Sequence, residues 1–153
     1  MVTNPYVQGH KTFMRVTLPC DMNRAWELIG TPAGLEKWFP KRCEGQIISG
    51  QKLIFHWLSD PANEFSVLEV MENKWWEMSW FEGGKVRYRL EDGSPVIFNL
   101  EVHYPESEKG KEIQILELPP WGFLLANLKS IASNGPDLRN QNTRFNWREG
   151  FIE

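Results

Sequence analysis

The feature that most constrains this chain is a change of period. From Cys43 to Leu118 apolar and polar residues alternate in short runs, the pattern of half-buried strands. The spacing predicts strands over Cys43–Ile48, Gln51–Leu58, Glu64–Met71, Lys74–Phe81, Lys85–Leu90, Val96–Tyr104 and Lys111–Leu118. Between them stand Ser49-Gly50, Asp60-Pro61, Glu72-Asn73, Gly83-Gly84, Asp92-Gly93-Ser94-Pro95 and the stretch from Pro105 to Gly110, all turn formers. Connections this short join antiparallel neighbours, so the run reads as a meander.

The flanks read as one more strand and three helices. Residues His10 to Leu18 alternate as a strand that ends at Pro19. Asp21 caps a short helix with Met22, Ala25, Trp26 and Ile29 at i, i+3, i+4 and i+7, stopped at Gly30. Thr31 with Pro32 opens a second, with Leu35, Trp38 and Phe39 on one face, closed by Pro40. Pro119-Pro120 open the longest helix. Its stripe is Trp121, Leu124, Leu125, Leu128, Ile131 and Ala132, and Asn134-Gly135-Pro136 stop it. Beyond lies a polar tail over 140–153 whose Phe145, Trp147 and Phe151 imply that it docks.

This order predicts an α+β fold. A curved antiparallel sheet of six to eight strands covers one long C-terminal helix, and two short helices follow the first strand. A coiled sheet and a straight helix do not meet flush everywhere, so a cavity between them is expected. The chain has 153 residues, one domain spanning 1–153, long enough to bury roughly 70% of its unfolded surface. A net charge of -3 leaves no electrostatic footprint for nucleic acid or an anionic membrane. Cys20 and Cys43 lack metal-type or CxxC spacing and read as free thiols of a cytoplasmic protein. Met1 to His10 has no signal-peptide pattern, and no apolar run approaches the roughly 20 residues that span a bilayer. His10, His56 and His103 are scattered, and no nucleophile elbow, HExxH or phosphate loop occurs. No catalytic residue, metal site or cofactor is therefore expected.

The same order resembles the helix-grip fold of the START-like, birch-allergen-like superfamily (SRPBCC), and within it the homologues of the activator of the 90-kDa heat-shock protein ATPase. The resemblance runs over about 10–139. It is carried by Leu18-Pro19, Ala25-Trp26-Glu27-Leu28, the run Thr31 to Phe39, Ser49-Gly50 before Leu53, and Val67-Leu68-Glu69-Val70. Further along are Trp76 to Trp80, Trp121-Gly122 with Leu125, Asn127, Leu128 and Lys129, and Asp137-Leu138-Arg139. It implies the helix-grip fold and a chaperone partner, and such folds host unrelated activities.

Strand parity selects the cavity residues. The inner sets are Leu53, Phe55 and Trp57; Trp76, Met78 and Trp80; Val96, Phe98, Leu100 and Val102; and Ile113 with Ile115. A tight Glu72-Asn73 turn would pair Glu69 with Trp76, placing that carboxylate inside as a polar anchor. The candidate ligand-binding set is Trp38, Phe39, Phe55, Trp57, Glu69, Trp76, Met78, Trp80, Phe98, Trp121, Leu124, Leu125 and Leu128. Eight tryptophans in a domain this small imply either a very bulky core or a ring-lined pocket. The expected function is binding of a small apolar or aromatic molecule. The alternatives are a co-chaperone-like interaction module and a cyclase- or hydratase-like enzyme using the cavity.

Overall fold

The computed structural model describes residues 3–152; Met1, Val2 and Glu153, the ends of the expected 1–153 domain, lie outside the described residues. Eight strands form a single antiparallel sheet. In chain order they are β1 (Val7–Gln8), β2 (Lys11–Leu18), β3 (Arg42–Gly45), β4 (Lys52–His56), β5 (Asn63–Met71), β6 (Trp75–Ser79), β7 (Lys85–Glu91) and β8 (Val96–His103). Their spatial order is β1-β2-β8-β7-β6-β5-β4-β3. From β3 to β8 the sheet is a meander, and β2 pairs back onto β8 from Lys11↔His103 to Leu18↔Val96.

Two short helices, α1 (Met22–Ile29) and α2 (Pro32–Glu36), bridge β2 to β3. Both begin as their residues dictate. The Asp21 carboxylate accepts from the Arg24 amide at 2.8 Å, and the Thr31 hydroxyl accepts from the Gly34 amide at 3.0 Å. Gly34 is required by contact: a Cβ there would lie 1.8 Å from the Glu27 carbonyl oxygen. Two buried indoles take up carbonyls at the end of α1, Trp38 Nε1 donating to Leu28 O at 2.8 Å and Trp76 Nε1 to Ile29 O at 2.6 Å.

The long helix α3 runs over Glu108–Ala132, which corrects the expected strand Lys111–Leu118. Ser107 caps it, accepting from the Gly110 amide at 3.0 Å, and Pro119 and Pro120 stand inside rather than at its start. A proline removes an amide and crowds the carbonyl four residues back. Here those carbonyls belong to Ile115 and Leu116, two exposed residues on the solvent side of the helix, where an unmade bond costs least. The buried face continues through the prolines as Gly110, Gln114, Trp121, Leu124, Leu125, Leu128 and Ala132. Its first turns bury glycine and glutamine instead of aliphatic residues, so apolar periodicity does not show it. Ile113 packs partly against the core and Ile115 points to solvent, so neither belongs to an inner strand face.

The helix lies along β2. Lys111 Nζ donates to Gly9 O at 2.8 Å, Gln114 Nε2 to Thr12 Oγ1 at 3.3 Å, and Lys129 Nζ to Thr17 Oγ1 at 2.9 Å. The sheet, α3 and the two short helices thus enclose one continuous core, the helix-grip arrangement. Cys20 and Cys43 are both free, and burial, with Glu36 and Glu44 adding to it, pushes the Cys43 thiol up to about 12. Among the described residues no helix is long and apolar enough to cross a membrane.

Candidate functional site

Most of the inward rings pack solidly. Trp38, Phe55, Trp76, Met78, Phe98 and Leu128 have no exposed surface, and Leu125 is also buried. Trp76 stacks on Tyr88 with ring centroids 4.3 Å apart. Phe98 meets Trp38 edge-on at 6.1 Å. These seven expected pocket residues are core and do not border the cavity. Indoles leave few gaps here because their ring nitrogens are bonded to carbonyls and their faces to other rings.

The cavity lies at one end of the sheet, between the ends of β4 and β6, the start of β5 and the middle of α3. It measures about 720 Å³. Phe39, Trp57, Trp80, Trp121 and Leu124 of the expected set form part of its wall. Phe81, Leu116, Glu117 and Pro120 complete the floor and the helical side, and Trp147, Arg148 and Phe151 of the tail stand at its mouth. The rings are mutually braced. Trp80 lies 5.3 Å from Trp121 and 5.0 Å from Phe65, and Phe39 lies 5.4 Å from Trp121.

Glu69, the expected anchor, is on the opposite face and exposed. The cause is a bulge. Val67 pairs with Met78 but Val70, not Glu69, pairs with Trp76, so β5 spends one residue more than β6 between those pairs. That extra residue reverses the parity of everything beyond it. Glu69 swings out and Val70 takes the inward place.

Two carboxyls reach the cavity: Asp60, and Glu117 on the stretch of α3 expected to be a strand. Its Oε1 accepts from the Tyr104 hydroxyl at 2.5 Å and from Trp80 Nε1 at 3.0 Å, while Tyr104 Oη accepts from Trp121 Nε1 at 3.0 Å. The cluster joins the residue after β6, the residue after β8 and two turns of α3. Burial raises the pKa of Glu117 above the ordinary carboxylate value, and the donated bonds from Tyr104, Trp80 and Trp121 offset only part of that rise. Burial and then the neighbouring Glu117 push the Tyr104 hydroxyl far up as well, so it stays protonated and donates. Glu117 is accessible in part, and it lines the cavity. The sequence holds one clue to it: Glu117 falls three residues after Gln114 and four before Trp121, on the buried face of α3.

The tail is fastened at two places. Arg139, beyond the end of α3, donates to Glu36 O at 2.7 Å, Pro40 O at 2.9 Å and Phe39 O at 3.1 Å, and pairs with Asp137 at 2.8 Å. Asn127, itself buried, donates to Trp38 O and to Asp137, both at 3.1 Å. Burial raises the Asp137 carboxyl, but the bonds from Arg139 and Asn127 outweigh it and hold that acid below its usual range. Farther out, Asp60 accepts from Trp147 Nε1 at 3.0 Å and pairs with Arg148 at 2.6 Å. A smaller hollow of about 200 Å³ lies under this tail, bordered by Lys41, Asp137 and Arg139. Phe145 packs on Phe151 within the tail, with centroids 5.1 Å apart, so Trp147 and Arg148 make the contact with the body. Among the described residues no group of three histidine, cysteine, aspartate or glutamate side chains could hold a metal ion.

No family model matches this chain, and no curated protein matches it. Solved structures do. SSP2350 from Staphylococcus saprophyticus superposes with a TM-score of 0.73 at 11% identity, over 84% of this chain and 96% of that one. DynU16, a protein of the dynemicin biosynthetic locus, gives 0.75 at 16% over 88% of this chain, which spans 51% of DynU16. The Aha1 dimer from Colwellia psychrerythraea gives 0.66 at 16%, over 82% of this chain and 97% of that one. At these identities the likeness is one of fold.

Proposed function

We propose that this chain is a cytoplasmic binding module for a small, largely apolar molecule with a flat or ring-bearing body. One observation carries the reading: a cavity of about 720 Å³, walled by Trp57, Trp80, Phe81 and Trp121, opens beside an otherwise closed core. That volume is in the range of small-ligand sites, and ring walls reward flat ligands by area burial and stacking. Of the two carboxyls on its wall, Asp60 is paired with Arg148, which leaves Glu117 as the polar anchor. Titration with naphthalene-type and fatty-acid probes, followed by tryptophan fluorescence, tests it. Saturable binding that is lost when Leu124→Trp fills the space is the expected result. Absence of binding by every probe overturns it.

The likeness to the Aha1 dimer favours a second reading, a co-chaperone-like interaction module. Stimulation of a purified 90-kDa heat-shock ATPase would support it. An enzyme of the cyclase or hydratase kind would draw on Glu117 and Tyr104, and turnover of a bound probe would reveal it.

A further inference from the structure

The cavity has aromatic walls and two carboxyls, of which Asp60 is paired with Arg148 and Glu117 lacks a cation. Among the described residues Glu117 makes no ion pair; its partners are the hydroxyl of Tyr104 and the indole nitrogens. These partners all present N–H or O–H groups, so the cluster is arranged around an acceptor. Two bonds already converge on Oε1. The positive side chain on the wall, Arg148, is occupied by Asp60 at 2.6 Å and stands on the tail.

We infer that the cavity selects organic amines: an apolar, ring-bearing body carrying one ammonium group seated between Glu117 and the indoles of Trp80 and Trp121. The inference rests on the binding reading above and names its ligand class. Three physical terms point the same way. A carboxylate withdrawn from water is costly unless a cation joins it, and here only the ligand can bring one. Indole rings attract cations through their negative faces, more strongly where water is excluded. An ammonium N–H also supplies the charged hydrogen bond that neutral Tyr104 and Trp80 do not. An anionic ligand would meet Glu117 unscreened, and a purely hydrocarbon one would leave it desolvated without compensation.

The test uses three probes of one shape on the full chain: 1-naphthylmethylamine, 1-naphthalenemethanol and 1-ethylnaphthalene. Each is titrated into the native protein and into Glu117→Gln, with tryptophan quenching as readout. The amine is expected to bind the native protein at least about 10-fold more tightly than either neutral probe. Glu117→Gln keeps the shape of the wall and should bring all three within about 3-fold of each other, mainly by weakening the amine. Equal or weaker binding of the amine by the native protein would overturn the amine assignment while leaving cavity binding in place. That comparison needs no variant, so it holds even if Glu117→Gln folds poorly. A preference for the amine that survives in a folded Glu117→Gln would overturn the role given to Glu117. No binding of any probe would instead overturn the binding reading on which this one rests.

Discussion

Replacing Arg139 with alanine should unfasten the end of α3 from α2, and the cost follows from the bonds it makes. The guanidinium donates to three backbone carbonyls, Glu36 O, Phe39 O and Pro40 O, at 2.7–3.1 Å, and pairs with Asp137. Its side chain is 13% exposed, so water does not compete freely for those carbonyls. Bonds from a charged donor contribute about 1.5–3 kcal/mol each. Three at the lower value come to about 4.5 kcal/mol, and partial rehydration of the freed carbonyls reduces the expected net loss to about 2–4 kcal/mol. In urea, with a slope of about 2 kcal/mol per molar, the midpoint should fall by about 1–2 M. Arg139→Lys should recover less than half of the loss, because one ammonium cannot span three carbonyls that a planar fork can. The pH dependence carries a second signature. Asp137 has a depressed pKa in the folded state, so its contribution is present above its unfolded pKa and is lost as pH falls through the folded one. Arg139→Ala should therefore flatten the acid limb of the stability profile as well as lower it. A loss under about 1 kcal/mol, or an unchanged acid limb, would refute the reasoning.

Glu117→Gln should raise stability at neutral and alkaline pH relative to the native chain. The folded pKa of Glu117 is raised, so its favourable state is complete below the unfolded pKa and is lost as pH rises through the folded one; denaturation midpoints from pH 4 to pH 9 check this, with Tyr104 too high to titrate in that window. Leu128→Ala, at a fully buried position, should cost about 2–5 kcal/mol by urea denaturation, whereas a surface change would cost under about 0.5 kcal/mol. Asp60→Ala removes the partner of Trp147 and Arg148, so limited proteolysis should cut after Arg144 and Arg148 faster than in the native protein. The melting temperature should stay nearly unchanged, since an exposed ion pair contributes at most about 1 kcal/mol.

Local chemistry in the sequence was enough for much of this fold. Asp21, Thr31 and Pro32 mark helix starts through bonds to amides only a few residues away, and Glu72-Asn73 marks a turn because Asn73 tolerates its φ of 66°. Alternation over β4, β6 and β8 names Phe55, Trp76, Met78 and Phe98 as inward, since each strand's own pleat sets that. Two things were decided only in three dimensions. The bulge between Val67 and Val70 depends on how β5 pairs with β6, and it turned Glu69 outward. The first turns of α3 bury Gly110 against the Pro105 carbonyl oxygen, where a Cβ would come within 2.0 Å, and Gln114 beside Thr12. A helix whose buried stripe begins with glycine, glutamine and glutamate carries no apolar period, and the two prolines in its middle imitate a beginning. Glu117 was hidden for that reason. Its surroundings come from Trp80, Tyr104 and Trp121, residues brought together by sheet and helix and not by spacing along the chain. Sequence parity could say which rings face inward, but which of them close on one another and which leave a space depends on where the sheet and α3 separate.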